Sequence, residues 1–200
     1  MRLRIQAWTL AFLFLSATAS AQGIEIGPQF AIPLPASDVG GKELGFSAGV
    51  TATDRQNRPV QVGVDVVYHY WPAAPEFKTG FDEVLKRRFY LAINEPTWAF
   101  VAIQTTFNLK VDVPLGERFA SWLKFGAGVY TIDRNIEGLW SDGINVSSES
   151  GFYGSLGMDY KESAGRKIGL DATYHHLKTA RPLGSDFTAF EIGAHMLFGR

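Results

Sequence analysis

The sequence predicts an all-β fold, an eight-stranded antiparallel up-and-down transmembrane β-barrel. Three observations lead to this prediction. Eight segments alternate between apolar and polar residues, which is the pattern of a strand with two different faces. The connectors between these segments alternate between short and long. Charged residues are scarce in the segments and lie on the face opposite the apolar residues.

The composition limits the class of protein first. The chain has 200 residues, a formal charge of −1, 21 glycines, 14% aromatic residues and no cysteine. Without thiols it cannot form a disulfide scaffold, an iron–sulfur cluster or a Cys-ligated zinc site. No basic excess indicates nucleic-acid binding, and 46% hydrophobic residues exclude a disordered chain. The length suits a single domain.

The N-terminal segment has the three regions of a secretory signal peptide. Arg2 and Arg4 precede an apolar run over 7–15, and the small residues Ala19-Ser20-Ala21 follow it. We therefore expect a signal peptide over 1–21 and a barrel domain over 22–200; a membrane anchor or a buried N-terminal helix is the alternative. The remaining chain has no apolar run long enough for a spanning helix, so it can cross a membrane only as a closed barrel.

The eight predicted strands differ in how clearly they alternate. The third is the clearest, because Val62, Val64 and Val66 alternate with Gly63 and Asp65. The first contains Pro28, which lacks a backbone donor and predicts a local break or bulge. The predicted strands cover 24–32, 44–53, 60–70, 99–111, 119–130, 151–160, 168–176 and 187–198.

The connectors predict how the strands are arranged. Three are short, at 54–59, 112–118 and 161–167, and four are mostly longer, at 33–43, 71–98, 131–150 and 177–186. Short turns at one end and long loops at the other indicate an up-and-down barrel with both termini on the short-turn side. Within the second long loop, helical spacing over 81–93 favours a short helix over the barrel mouth. An early extension of the fourth strand is the alternative.

The charged residues of the strands indicate which face meets lipid. A soluble ligand-binding barrel also alternates, but its water-facing wall should be dense in charged side chains. The predicted segments hold seven charges, all opposite the apolar face: Glu25, Asp65, Lys110, Lys124, Asp159, Asp171 and Glu191. The polar face is otherwise rich in small residues, as the inside of a narrow barrel requires. We therefore expect the apolar face to point into lipid.

The aromatic residues predict two bands near the strand ends, as in the interfacial girdles of membrane barrels. The long-loop band contains Tyr68, Tyr70, Trp71, Trp98, Phe100, Tyr130, Phe152, Tyr153, Tyr174 and Phe187. The short-turn band contains Phe107, Phe119, Trp122, Tyr160 and Phe198. A general preference of aromatic residues for strand ends is the alternative explanation.

Over Ile24–Phe198 the chain resembles the small outer-membrane β-barrel superfamily, of the outer membrane protein A, X and W type. Strand count, connector lengths and leader carry the resemblance, together with the last strand, whose alternating face ends at Phe198. In that superfamily an aromatic-ended last strand is read by the barrel assembly machinery; here Gly199 and Arg200 follow the aromatic residue.

The resemblance implies a monomer in the cell outer membrane of a Gram-negative bacterium. Its partners would be outer-membrane lipid, lipopolysaccharide and the assembly machinery, and not nucleic acid. The basic run at 86–88 could meet lipopolysaccharide phosphates, although a solvated helix face is the favoured explanation.

The polar face carries the candidate functional residues. We predict a lumen polar network formed by Asp65, His69, Lys110, Lys124, Asp159, Asp171, His175, Glu191 and His195. Histidines beside carboxylates in a sheltered lumen could support acid–base chemistry or bind a metal. The favoured interpretation is a network of ion pairs and hydrogen bonds, with Tyr130, that plugs the barrel. No catalytic, metal or cofactor residue is assigned, and no cofactor is expected.

Some members of the superfamily are lipid A deacylases, with a histidine, a serine two residues later and a glutamate on the last strand. His175 and Glu191 resemble two of these residues, but Leu177 stands where the serine would be. No zinc-protease, nucleophile-elbow or nucleotide-binding motif occurs either. We therefore expect a protein that is not an enzyme.

The expected function is a structural, adhesive or surface-binding role, with side chains filling the lumen. Three alternatives stay open at this point: a narrow, porin-like conduit for small or apolar solutes, a divergent lipid A deacylase, and a soluble periplasmic ligand-binding barrel. Conductance in a planar bilayer would identify the conduit, loss of lipid acyl chains would identify the deacylase, and solubility without detergent would identify the soluble barrel.

Overall fold

A computed structural model describes residues 23–34, 45–54, 60–72, 98–136, 146–162, 165–178 and 187–199. Within these ranges, only the backbone is described for 98–100, 133–136 and 146–147. The predicted signal peptide, the predicted helix at 81–93 and the basic run at 86–88 lie outside the described residues. No helix in the described part of the chain has the length and apolar character needed to cross a membrane.

The described residues form a closed antiparallel barrel in which each strand pairs with its neighbours in sequence and β8 returns to β1. The predicted fold class is therefore confirmed. The strands are β1 (Ile24–Leu34), β2 (Phe46–Asp54), β3 (Val60–Pro72), β4 (Trp98–Pro114), β5 (Phe119–Ile136), β6 (Val146–Lys161), β7 (Arg166–Leu177) and β8 (Phe187–Gly199).

The connectors alternate in length as predicted, and the strand ends correct several of their predicted bounds. One end of the barrel has the short connectors 55–59, 115–118 and 162–165, and β1 begins and β8 finishes at the same end. We call this end the turn side. The predicted loop at 131–150 is too long, because β5 continues to Ile136 and β6 begins at Val146. The two strands pair along this extension, from Thr131 opposite Ser148 to Asp133 opposite Val146.

The seam between β1 and β8 contains the break that Pro28 predicts. Ile26 pairs with Phe198 and Gln29 pairs with His195, but no pairing joins the strands between them. The register is the same on both sides, so the ladder is interrupted without an inserted residue. A Cβ on Gly27 would lie 1.6 Å from the backbone oxygen of Met196. Only glycine therefore allows β8 to close against β1 here.

The apolar side chains point away from the barrel axis. Phe107 is 77% exposed and Leu170 is 67% exposed, whereas Asp65, on the opposite face of the wall, is 1% exposed. A band of large apolar residues surrounds the outside and includes Phe30, Val62, Leu109, Phe125, Leu156 and Ile192. This orientation is opposite to that of a soluble ligand-binding barrel and suits a wall that faces lipid.

Among the predicted girdle residues whose side chains the structure describes, five are not on the outer wall, and their assignment to the aromatic bands was wrong. Each lies inside the barrel: Trp71, Trp122, Tyr130, Tyr153 and Phe187. Alternation decides their direction, since Trp71 shares the face of His69 and Trp122 shares the face of Lys124. Outward aromatic residues do occur at both ends, with Phe46, Phe152 and Tyr174 at one end and Phe119, Tyr160 and Phe198 at the other.

Candidate functional site: three clusters in the lumen

All nine residues of the predicted polar network lie inside the barrel, and eight of them are buried. The ninth, Asp171, keeps a side-chain exposure of 16%. They fall into three clusters along the barrel axis, each with partners that the sequence analysis did not name. The turn-side cluster is Lys110, Trp122, Asp159, Asp171 and His195. The middle cluster is Asp65, Asn108, Lys124 and Tyr153. The loop-side cluster is Ser47, His69, Trp71, Gln104, Tyr130, His175 and Glu191.

Asp159 is the centre of the turn-side cluster. Its Oδ1 accepts a hydrogen bond from Trp122 Nε1 at 2.7 Å and lies 2.9 Å from His195 Nε2. Its Oδ2 accepts from Lys110 Nζ at 3.0 Å. The other ring nitrogen of His195, Nδ1, lies 3.0 Å from Asp171 Oδ1. His195 is therefore held between two carboxylates, an arrangement that provides the pairing a buried charge requires.

Lys110 and Lys124 stand directly opposite each other on β4 and β5, a placement that would by itself be unfavourable. In the barrel each of the two ammonium groups pairs with different carboxylates, which offsets their repulsion. Lys110 Nζ bonds Asp159 and lies 3.2 Å from Asp112 Oδ1, whereas Lys124 Nζ lies 3.4 Å from Asp65 Oδ1. The indole ring of Trp122 lies 5.0 Å from Lys110 Nζ and 5.8 Å from Lys124 Nζ, which adds a cation–π contact to each.

Asp65 is the acceptor at the centre of the middle cluster. Asn108 Nδ2 donates to its Oδ2 at 2.8 Å, and Tyr153 Oη donates to the same oxygen through a short hydrogen bond. The Tyr153 ring reaches across the lumen over Gly126, where a Cβ would lie 2.1 Å from the ring. Glycine on β5 thus gives the ring the space in which it closes the lumen.

Tyr153→Phe is expected to lower the free energy of unfolding by about 1.5–3 kcal/mol, because it removes a hydrogen bond to a charged group. The ring and its packing stay, so the loss reports the hydroxyl alone. Urea unfolding of the barrel in lipid vesicles, followed by tryptophan fluorescence, measures the change. Tyr174→Phe is the matched control, since Tyr174 faces outward, and should change stability by less than about 0.5 kcal/mol. Equal effects of the two variants would contradict the prediction.

Glu191 is the centre of the loop-side cluster. Its Oε1 accepts from Ser47 Oγ at 2.6 Å and from Trp71 Nε1 at 2.8 Å, and lies 3.1 Å from His69 Nδ1. Its Oε2 lies 3.3 Å from His175 Nε2. Two histidines from β3 and β7 thus approach one carboxylate from β8, and all three side chains are buried.

His69, Ser47 and Glu191 are the residue types of a serine–histidine–acid catalytic triad, but their geometry differs from that of a triad. In a triad the hydroxyl meets one imidazole nitrogen and the carboxylate meets the other. Here Ser47 Oγ, at 2.8 Å, and Glu191 Oε1, at 3.1 Å, both meet Nδ1 of His69. The other nitrogen, Nε2, lies 2.8 Å from Gln104 Oε1. This arrangement therefore holds Ser47 as a hydrogen-bond donor to the carboxylate rather than as a nucleophile activated by His69.

The loop-side cluster is also the group of described residues that could hold a metal ion. One ligand atom each from His69, His175 and Glu191 lie within 4.8 Å of one another. His195 is different, because both of its ring nitrogens face carboxylates, Nε2 that of Asp159 and Nδ1 that of Asp171.

The lumen residues that the sequence analysis missed carried a usable signal. Those on β3 to β6 each lie an even number of residues from a predicted lumen residue on the same strand, as Trp71 does from His69, Trp122 from Lys124 and Tyr153 from Asp159. Ser47 is the exception, because β2 holds no residue of the predicted network. Parity along a strand was therefore a better guide to their direction than their aromatic character.

A cavity of about 40 Å³ lies beside the loop-side and middle clusters, with Ser47, Asp65, His69, His175 and Glu191 in its wall. A water molecule needs about 10–15 Å³ of such space, so the cavity has room for only a few. Trp71 and Phe187, whose ring centroids lie 4.8 Å apart, pack on the loop side of the cluster. The lumen is thus occupied by side chains along the part of its length that the structure describes.

Comparison with solved structures identifies the fold. No protein-family model and no curated protein sequence matches this chain. Neisserial surface protein A (NspA) superposes with a TM-score of 0.59 at 12% identity, over 90% of this chain and 98% of that one. The outer membrane protein OprG from Pseudomonas aeruginosa superposes with a TM-score of 0.51 at 16% identity, over 90% of this chain and 97% of that one. The chain has the fold of the small outer-membrane β-barrels. At these identities the likeness establishes the fold alone, and the function of the protein has to be argued from its own residues.

Proposed function

We propose that the protein is a plugged outer-membrane barrel of a Gram-negative bacterium, with a structural, adhesive or surface-binding role rather than a transport or catalytic one. The observation that carries the proposal is the filling of the described lumen by buried side chains. Three clusters of buried, mutually bonded side chains follow one another along the axis, centred on Asp159, Asp65 and Glu191. A barrel of eight strands is narrow enough for side chains to fill it.

The outer wall supports the membrane part of the proposal. Its band of exposed apolar side chains would be an aggregation hazard in water and suits the hydrocarbon region of a bilayer. In outer membranes such barrels have their short turns in the periplasm and their longer loops outside the cell. The long connectors would then meet partners at the cell surface, including lipopolysaccharide, and the outward face of β8 would meet the assembly machinery.

The same clusters argue against the alternatives. A conduit for small or apolar solutes needs a continuous path, and an apolar solute would have to displace ion pairs that stabilise the buried charges. A deacylase needs a serine that a histidine can activate, and Ser47 donates to Glu191 instead.

Fractionation and conductance together test the proposal. The protein should sediment with outer membranes and migrate differently on a gel when unboiled and boiled. Inserted into a planar bilayer, it should show no conductance steps under conditions in which an open porin shows them. Steady channel openings would contradict the plugged lumen, and recovery as a freely soluble protein without a gel shift would contradict the membrane location.

A further inference from the structure

We infer that His69, His175 and Glu191 form a binding site for a divalent transition-metal ion, of the Zn²⁺ class, at the loop side of the lumen. The inference goes beyond the proposed function, which requires only a filled lumen. It rests on the positions of three donor atoms, on the groups behind them, and on one buried nitrogen without a hydrogen bond.

The separations of the donor atoms fit a small metal ion. His69 Nδ1 lies 3.1 Å from Glu191 Oε1, and His175 Nε2 lies 3.3 Å from Glu191 Oε2. Ligands at about 2.0–2.1 Å from a tetrahedral zinc ion are about 3.3–3.4 Å from one another. One ligand atom from each of the three residues lies within 4.8 Å of the other two, so the three side chains are close enough to share one ion after small rotations.

Both histidines have the outer partners that metal-ligating histidines use. Such a histidine donates its second ring N–H to an oxygen, which fixes the tautomer and the ring orientation. Gln104 donates its own amide to Thr106 Oγ1, so its Oε1 is left to accept from His69 Nε2 at 2.8 Å. His69 Nδ1 then carries the lone pair. His175 Nδ1 lies 3.1 Å from Tyr130 Oη, which leaves Nε2 as the ligating nitrogen.

The carboxylate is held in the same way. Trp71 Nε1 and Ser47 Oγ both donate to Glu191 Oε1, so Oε2 is the oxygen that faces His175. Ser47, Trp71 and Glu191 itself come from β2, β3 and β8, three different strands of the wall, which gives a rigid frame for a metal site.

His175 Nε2 provides independent support. It is buried and makes no hydrogen bond, although Glu191 Oε2 lies 3.3 Å away. Buried polar atoms without partners are rare and call for an explanation. A metal ion between the nitrogen and the carboxylate would give this nitrogen a partner.

The ligand types determine the kind of metal. Imidazole nitrogens suit Zn²⁺, Co²⁺, Cu²⁺ or Fe²⁺, whereas Mg²⁺ and Ca²⁺ prefer sites made of oxygen atoms alone. The adjoining cavity of about 40 Å³ leaves room for a water molecule in a fourth position, next to three protein ligands.

Metal titration of the protein, produced from its full sequence and purified in detergent without a polyhistidine tag, tests the inference. We expect one Co²⁺ or Zn²⁺ ion per chain, measured by calorimetry and by the visible absorption of tetrahedral Co²⁺, with no competition from Mg²⁺ or Ca²⁺. His175→Gln and Glu191→Gln should each weaken binding by at least about 100-fold, because even outer partners of ligands contribute 10–100-fold. His176→Gln is the matched control, since it removes the neighbouring histidine and keeps the three ligands, and should leave the affinity unchanged.

A second pair of variants covers the case in which a ligand variant does not fold. Gln104→Leu and Trp71→Phe keep all three ligands and should weaken binding by about 10–100-fold, with the heat-dependent gel shift showing that the barrel is intact. The inference is overturned if the wild-type protein shows no saturable binding, which would make the cluster a hydrogen-bond network only. It is also overturned if folded ligand variants bind as tightly as the His176→Gln control. These outcomes leave the proposed function untouched, because sedimentation and conductance are measured without metal.

Discussion

Arginine in place of Leu170 is expected to lower the free energy of unfolding of the bilayer-inserted barrel by about 2–4 kcal/mol. Leu170 is the fifth residue of β7 from the turn side and is 67% exposed. A strand needs about 9–11 residues to cross the hydrocarbon region, so this position lies near the middle. Its neighbours across the ladder, Met158 and Ala194, are apolar and offer the guanidinium group no partner. Urea titration of the barrel refolded into lipid vesicles measures the loss.

Two controls separate the cost of the charge from other effects. Leu115→Arg places the same side chain in the turn after β4, where Leu115 is exposed, and should cost only about 0–1 kcal/mol because the cost falls towards the interface. Leu170→Ala measures the loss of the leucine without a charge. If Leu170→Arg is no worse than Leu115→Arg, the outer wall does not face hydrocarbon, and the proposed membrane location loses its main physical support.

The direction of the lumen residues was predictable because the side-chain period of a strand is fixed at two. Once Val62 and Val64 are placed on the lipid face of β3, Asp65 and His69 have to face inward, as they do. The same rule, applied without exception, would have placed Trp71 and Trp122 inside. Distance from the strand end, on which the predicted aromatic bands were based, carries no information about the direction of a side chain.

The partners of the lumen residues were not predictable in this way. Glu191 bonds Trp71 and Ser47, which are 120 and 144 residues away along the chain. Tyr153 meets Asp65 across the barrel rather than along a ladder. Strand pairing sets which residues are neighbours on the wall, but side-chain length and strand tilt decide which ones meet across the axis. Those quantities follow from barrel closure, which no local pattern encodes.

Strand ends were the other weak point of the prediction. β5 and β6 continue through a stretch rich in Ser, Asp and Asn, residues that are depleted in strands and typical of turns. Composition therefore favoured a loop. Pairing between the two strands over Thr131–Asp133 supplies the hydrogen bonds that override this local preference.

The largest expected effect in the lumen is that of Asp159→Ala, which should lower the free energy of unfolding by about 3–5 kcal/mol. The carboxylate accepts from Trp122, lies against His195 and pairs with Lys110. Its removal leaves the indole N–H without an acceptor and takes one of two carboxylates from Lys110, which is itself buried. Removing one member of a buried ion pair is costly because the remaining charge stays desolvated.

Glu162→Ala is the matched control for this variant. It also removes one carboxylate from an ion pair, with Arg166 at 2.8 Å, but both side chains are largely exposed. Such a pair contributes about 0.3–0.5 kcal/mol, so the two substitutions should differ by several kcal/mol in the same vesicle assay. Asp159→Asn should fall between them, because its amide keeps an oxygen for Trp122 while losing the charge that faces Lys110. A plugged lumen depends on such pairs being formed, and an Asp159→Ala barrel as stable as Glu162→Ala would mean that the turn-side cluster is hydrated rather than closed.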